Sequence, residues 1–306
     1  MGFGWWEGRL EKGYLVDWLG VRTKYAWDCI KGGGYYIHVP SRKMQCLEHD
    51  RQTASGEGSS AGERSLVRGF LPPVDDEYPE LVDMLRSVVR SQGMPYVVVE
   101  IGSSFGVWSV RAVAAYRKRH PMGEYRMVAV DPSPHRFRQL EQNIMANNIR
   151  NATLLLGSVV AKGQTEPKNT TPGSVSFTLD SVLEPLDHVD YLDLDIQGDE
   201  LGVFADRETV DVVNAKVHSV HIGTHSKGIH EQLRNLFVAE GWIKEIDYMH
   251  NMIYECDQEM RNSADHLPRS KECITDTLWG PMYIRDGLLS FFNPAFAAHW
   301  VDAFED

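Results

Sequence analysis

Long apolar runs are missing from this 306-residue sequence. No stretch of eighteen apolar residues occurs, which leaves nothing to cross a bilayer as a helix. Basic charge is also in short supply. Lys and Arg number 31 against 43 Asp and Glu, a formal charge of −12, which argues against nucleic acid or an anionic membrane as the main partner. The four cysteines, Cys29, Cys46, Cys256 and Cys273, contain no Cys-x-x-Cys pair, and the expectation is that they are reduced and structural. The start, Met1-Gly2-Phe3-Gly4-Trp5-Trp6-Glu7, lacks the charged and long apolar regions of a secretory leader. It also lacks the Ser or Thr at position 6 that myristoylation requires. A cytoplasmic protein is expected.

Two nucleotide-binding signatures are absent as well. A phosphate-cradling loop needs Gly-x-x-x-x-Gly-Lys-Ser/Thr, and the best glycine turn here has no lysine. A dinucleotide fingerprint needs Gly-x-Gly-x-x-Gly, but Ser104 holds the second glycine position. What is present is Tyr96-Val97-Val98-Val99-Glu100-Ile101-Gly102-Ser103-Ser104-Phe105-Gly106, an apolar run ending in an acidic residue and a glycine-bounded turn. Apolar residues then recur at Val107, Val110, Val113 and Ala114, the period of a helix with one buried face. A Val-rich run of this kind suits the central strand of a parallel sheet. The glycines let backbone approach a ligand, and the free N–H groups of the helix start face the same spot. The spacing Glu100-x-Gly102-x-x-x-Gly106 resembles the first motif of S-adenosylmethionine-dependent methyltransferases, with Glu100, Gly102, Ser103 and Gly106 as candidate cofactor contacts.

Either side of this turn the elements alternate. Leu81, Leu85, Val88 and Val89 mark one face of a preceding helix that begins near Pro72 and stops at Gly93. Tyr125 to Val130 reads as a second strand, ending in Asp131 where ribose hydroxyls would be accepted. Ser133-Pro134 supplies the next N-cap and first-turn proline, so Asp131 is not needed as a cap. A third strand, Ala152 to Gly157, leads to Ser158, near an adenine edge in this architecture. Val189 to Glu200 is a fourth strand and turn that places Asp193 and Asp195 on one side of the sheet. Asp195 faces the cleft unless it merely caps the following helix. The fifth strand, Lys216 to Ile222, runs into Gly223-Thr224-His225. It carries His221 and delivers His225 to the carboxyl end, where ligands of an open parallel sheet collect. Histidines satisfied by hydrogen bonds alone are at least as common as functional ones. Lys244 to Tyr248 and the segment around the Asp286-Gly287 turn, Trp279 to Asn293, are candidates for the last two strands.

The aromatics Trp5, Trp6, Tyr14, Trp18, Tyr25, Trp27, Tyr35 and Tyr36 make the N-terminal region a folded extension, either a wall of the substrate site or a packing element. The expected division is an extension at 1–70 and a methyltransferase domain at 71–306. Residues 53–62 read as a flexible loop and 250–275 as a lid.

From about residue 70 to 295 the sequence resembles the FkbM family of S-adenosylmethionine-dependent methyltransferases. The resemblance rests on the turn after Glu100, on the order of elements, and on two linked stretches. These are Phe177-Thr178-Leu179-Asp180-Ser181-Val182-Leu183 and Val189-Asp190-Tyr191-Leu192-Asp193-Leu194-Asp195-Ile196-Gln197-Gly198-Asp199-Glu200, similar to the family's LDSLL…DFLKIDIEGAE signature. Asp193 stands where the family usually has lysine, and Gln197 where Glu is frequent. The resemblance implies an α/β fold with a doubly wound, Rossmann-like, seven-stranded sheet whose last strand is antiparallel. It also implies S-adenosyl-L-methionine as cofactor, with Glu100, Gly102, Ser103, Gly106, Asp131, Ser158 and Asp195 around it. The implied reaction is O-methylation of a small molecule such as a sugar or other secondary metabolite.

An alcohol must lose its proton as its oxygen is methylated, so a base within hydrogen-bond reach is useful. His221 or His225 is the candidate, with Asp195 as its orienter. Alternatively a divalent ion such as Mg2+, held by Asp195, His221 and His225, activates the acceptor oxygen. Two other readings compete, an NAD(P)-dependent oxidoreductase and a catalytically silent cofactor-binding scaffold. The partner expected is a small-molecule hydroxyl acceptor, with no nucleic acid and no membrane. The sequence leaves the oligomeric state open, a homo-oligomer included.

Overall fold

The computed structural model describes residues 8–11, 14–24, 65–67, 77–164, 175–249, 273–282, 284 and 286–299. The chain divides into two compact units, residues 1–78 with 252–283, and residues 79–251 with 284–306. The aromatics Trp5, Trp6, Tyr25, Trp27, Tyr35 and Tyr36, the loop expected at 53–62 and residues 250–272 of the expected lid lie outside the described residues.

In the smaller unit, β1 (Gly8–Glu11), β2 (Tyr14–Val16), β3 (Arg22–Lys24) and β4 (Ser65–Val67) form an antiparallel sheet in the order β3-β2-β1-β4. The β2–β3 turn is held by Asp17, whose Oδ1 accepts from the backbone N–H groups of Leu19 (2.9 Å) and Val21 (3.0 Å). Such a side chain substitutes for a missing backbone partner in a tight turn. Cys273 is disulfide-bonded, to a partner outside the described residues, which corrects the expectation of four free thiols. Nothing in the scattered spacing of the four cysteines signals this pairing.

The larger unit begins with α1 (Glu77–Arg90), β5 (Tyr96–Ile101), α2 (Val107–Arg119), β6 (Tyr125–Asp131), α3 (Pro134–Ala146) and β7 (Ala152–Leu156). It continues through the short parallel pair β8 (Ser158–Val159) and β9 (Ser176–Phe177), then α4 (Leu179–Leu183), β10 (Tyr191–Leu194), α5 (Glu200–Val203) and α6 (Arg207–Lys216). It ends with β11 (Ser219–Thr224), α7 (Lys227–Ala239) and β12 (Ile243–Tyr248). After the hairpin β13 (Thr275–Thr277) and β14 (Gly280–Met282), which belongs to the smaller unit, β15 (Gly287–Phe292) returns to the main sheet. That sheet has the order β12-β15-β11-β10-β5-β6-β7, with β15 antiparallel to both neighbours. The chain thus carries the seven-stranded, doubly wound α/β sheet with an antiparallel last strand. No helix among the described residues is long and apolar enough to cross a membrane.

Alternation along β5 sorts the two faces. Val97, Val99 and Ile101 join Leu192, Leu194, Val220, Ile222, Leu289 and Phe291 in one apolar layer with residues of α4 to α7. Each such side chain, taken fully out of water, contributes about 1.5–3 kcal/mol, so this face supplies much of the fold's cohesion. The other face carries Tyr96, Val98 and Glu100 and is roofed by α1 and α2. Tyr96 Oη is 2.7 Å from Ser87 Oγ of α1, and Glu100 binds the first turn of α2. α1 turns Leu81, Met84 and Val88 inward together with Asp83, a polar residue its apolar period does not flag. Two boundaries differ from expectation. Lys216 ends α6 rather than starting the fifth strand, and Gly280–Met282 pairs with Thr275–Thr277 instead of extending the main sheet.

Candidate active site

The turn after β5 is built by Glu100. Its carboxylate accepts from Trp108 N (3.0 Å), Ser109 N (3.1 Å) and Ser109 Oγ, capping three donors at the start of α2. Helix N-termini carry partial positive charge and unpaired N–H groups, so a buried carboxylate is at home there. Burial nonetheless pushes the Glu100 carboxyl up to about 7, with the bonds from Ser109 and Trp108 and the Arg111 charge pulling back. Glu100 is 2% exposed, and its carboxylate shapes the turn from beneath.

Gly102 has φ of +85°, and a β-carbon there would lie 1.8 Å from the carbonyl oxygen of Asp195. Only glycine allows β5 and the end of β10 to come this close. Ser104, at φ +50°, adopts the left-handed conformation without being glycine. It is held there by Asp131, whose Oδ2 accepts from Ser104 N (2.7 Å) while Oδ1 accepts from Ser133 N (2.8 Å). Burial raises the Asp131 carboxyl, and the bonds from Ser133 and Ser104 and the nearby Arg136 pull it back. Gly157 N donates to Asp131 O at 3.0 Å, which sets the following Ser158 beside the same strand end. The hydroxyl oxygens of Ser103, Ser104 and Ser158 are buried without a hydrogen-bond partner in the protein. Buried hydroxyls of this kind are normally satisfied, so three around Asp131 fit a polar ligand at the turn.

Asp195 follows β10 and His225 follows β11, at the carboxyl end of the sheet. His225 Nδ1 is 2.8 Å from Glu200 Oε1, and His225 Nε2 is 3.4 Å from Asp195 Oδ1. Glu200 is fully buried and also accepts from Gly198 N at 2.9 Å. Asp195 is bonded by Gln197 Nε2 at 2.8 Å, and its side chain keeps 36% exposure. With Nδ1–H donated to Glu200, the Nε2 lone pair is left to take a proton. Burial alone would lower the His225 pKa, but the bond to Glu200 and the charges of Asp195, Glu200 and Asp286 raise it above 6.5. Burial also raises the Asp195 carboxyl, opposed first by His225. Asp195 caps no helix, since the N-cap position of α5 is Asp199.

His221 is elsewhere. It lies mid-strand, 1% exposed, with Nδ1 3.1 Å from Asp83 Oδ2 of α1 and 3.1 Å from Ser290 Oγ of β15. The expected trio of Asp195, His221 and His225 is therefore not assembled. His221 has its donor atom with Glu80 and Asp193, whereas Asp195 and His225 are joined by Glu200. The physical reason is strand geometry: three residues separate the two histidines, and His221 is still under the α1 roof when His225 has left the strand. Glu200, Glu80 and Asp83 are the residues that sequence reasoning left without a role. Glu200 had a visible signal, as the final acidic residue of the Asp195-Ile196-Gln197-Gly198-Asp199-Glu200 stretch. The α1 acids had none.

A family model described as the methyltransferase FkbM domain matches residues 100–257, just over half of the chain. Among solved structures, an FkbM methyltransferase from Methylobacillus flagellatus KT is 13% identical, with 65% of this chain and 44% of that one covered and a TM-score of 0.41. Precorrin-6y C5,15-methyltransferase from Geobacter metallireducens GS-15 is 11% identical over 69% of this chain and 87% of that one, with a TM-score of 0.39. The METTL16 MTase domain is 9% identical over 73% and 70%, with a TM-score of 0.41. None of the curated proteins matches the chain.

Proposed function

Because the chain belongs to the FkbM methyltransferase domain family, we propose that it transfers a methyl group from S-adenosyl-L-methionine to a hydroxyl of a small molecule, a sugar or other secondary metabolite. The cofactor, when bound, supplies an electrophilic methyl on a sulfonium. The residues suited to hold it are Gly102, Ser103, Ser104 and Gly106 of the turn, Asp131 for the ribose hydroxyls and Ser158 beside it. Glu100 acts from below by capping α2, and Asp195 borders the turn through its backbone.

The observation that carries the hydroxyl reading is His225. Its ring is fixed by a fully buried carboxylate at Nδ1 and leaves Nε2 available beside Asp195, at the strand ends where the glycine turn lies. This is the geometry of an oriented general base, the orienting carboxylate selecting the tautomer and the second carboxylate stabilising the imidazolium. An alcohol needs such a base, because its oxygen must shed a proton as the new bond forms. Positioning the acceptor and excluding water are the remaining tasks. For location, the disulfide at Cys273 favours an oxidising setting, where such bonds persist.

A methyl-release assay on matched hydroxyl, amine and thiol acceptors tests the reading. Turnover on a hydroxyl acceptor, lost in His225→Gln, is expected. Turnover confined to amines or thiols and indifferent to His225→Gln would overturn it.

A further inference from the structure

On the α1 side of the sheet a polar row crosses three neighbouring strand pairs: Ser290 opposite His221, His221 beside Asp193, and Asp193 beside Glu100. Lateral partners share a face, and α1 lays Glu80 and Asp83 over this row. Four carboxyl groups thus share this row with one imidazole, Asp83, Glu100 and Asp193 buried and Glu80 half-buried. Arg86 approaches Asp83 Oδ1 at 3.5 Å, and Arg111 acts on Glu100. For Asp193, burial and the charges of Glu100, Asp195 and Asp83 all oppose ionisation, and the bond with Glu80 relieves it only in part. Buried charge of one sign needs a compensating cation or bound protons.

The ring of His221 is set for the first of these. Its Nδ1 is turned to Asp83 Oδ2 at 3.1 Å, while Ser290 Oγ also donates to that oxygen. With Nδ1 carrying the proton, Nε2 presents its lone pair inward, and Nε2 is buried with no partner. Asp193 Oδ1 is buried and unpartnered in the same place, and Asp193 is 3% exposed. Donor atoms of Glu80, Asp193 and His221 all lie within 4.8 Å of one another. A carboxylate that holds the far nitrogen of a histidine while the near nitrogen faces other donors is the arrangement that orients metal-binding imidazoles.

We propose that Glu80, Asp193 and His221 form a structural site for a divalent cation of the zinc–manganese type, with Asp83 and Ser290 orienting His221. One imidazole and two carboxylates are a donor set such ions accept, and each carboxylate has a second oxygen to complete the shell. The site is separate from the centre at His225. There the imidazole lies against a carboxylate at each nitrogen, and Asp195 is partly open to solvent. The site lies between α1 and the sheet and serves cohesion between α1, β10 and β11 rather than the reaction.

The test is metal analysis of the purified full chain after incubation with Zn2+ or Mn2+ and removal of free ion, together with thermal unfolding. About one retained ion per chain is expected. The unfolding midpoint should rise by about 5 °C at a hundredfold excess over the dissociation constant. His221→Ala and Asp193→Asn should abolish both effects, and His225→Ala should leave both intact. If the first two variants fail to fold, Asp193→Lys provides the second route, since an ammonium there supplies the cation. It should fold without retaining metal and should show no metal-dependent shift. A folded wild-type chain that retains neither ion would overturn the proposal. So would an ion lost on His225→Ala and kept on His221→Ala, which would assign it to the other centre.

Discussion

The α-carbon of Gly102 packs directly against the carbonyl oxygen of Asp195, so that a β-carbon on Gly102 would lie 1.8 Å from that oxygen. This contact locks the cofactor-side turn to the strand end that carries the proposed chemistry. Gly102→Ala is expected to cost about 1–2 kcal/mol from its left-handed backbone alone. It should cost more from the clash, which forces β5 and β10 apart at their carboxyl ends. Denaturant unfolding and cofactor affinity should fall together. Full retention of both would mean that the two strand ends are not held as described.

His225 sets the pH dependence. Its pKa is raised above 6.5, so a base role makes turnover rise with pH along a limb placed above the ordinary histidine value. Glu200→Gln removes one of the groups that raise it, and the limb should move to lower pH while turnover drops. His225→Gln should lose roughly 10²–10⁴ in rate with cofactor binding preserved. The same raised pKa makes protonated His225 stabilising below pH 6.5, a contribution that fades as pH climbs through the raised value. A pH–rate profile of the wild type and of Glu200→Gln with the same limb would remove His225 from the reaction.

The strand-five histidines show where the sequence was readable and where it was not. The order of elements and the glycine turn follow from apolar periodicity and turn residues, whereas the antiparallel last strand was implied by the FkbM resemblance, and the sheet has it. Asp195 and His225 were legible as strand-end residues. His221 was not separable from His225, because membership of a strand does not say how far along it the covering helix reaches. Asp83 and Glu80 were hidden because α1 was read by its apolar face, and two acids directed inward leave that period intact. The disulfide at Cys273 was invisible for a similar reason: pairing depends on contact, and the spacing carries no trace of it.

Asp131 supports the cofactor side in two ways, through its free lone pairs and through the Ser104 and Ser133 backbone bonds. Asp131→Ala should weaken S-adenosylmethionine binding by about 1.5–3 kcal/mol, roughly 10- to 150-fold. Asp131→Asn, which keeps one acceptor oxygen, should fall between. Calorimetric dissociation constants for the three proteins check the order, and equal affinities would place the ribose elsewhere.

Thiol counting checks the correction at Cys273. One disulfide takes two of the four cysteines, so at most two should react in denaturant without reductant, and four after reduction. Four reactive thiols before reduction would show that the bond does not form in solution.

The most direct test of the central claim is a calorimetric titration of the folded wild-type chain with S-adenosyl-L-methionine and, separately, with NAD. Saturable binding of S-adenosyl-L-methionine, with no measurable heat from NAD, is the predicted result. Binding of NAD, or no binding of S-adenosyl-L-methionine by a chain shown to be folded, would contradict the account.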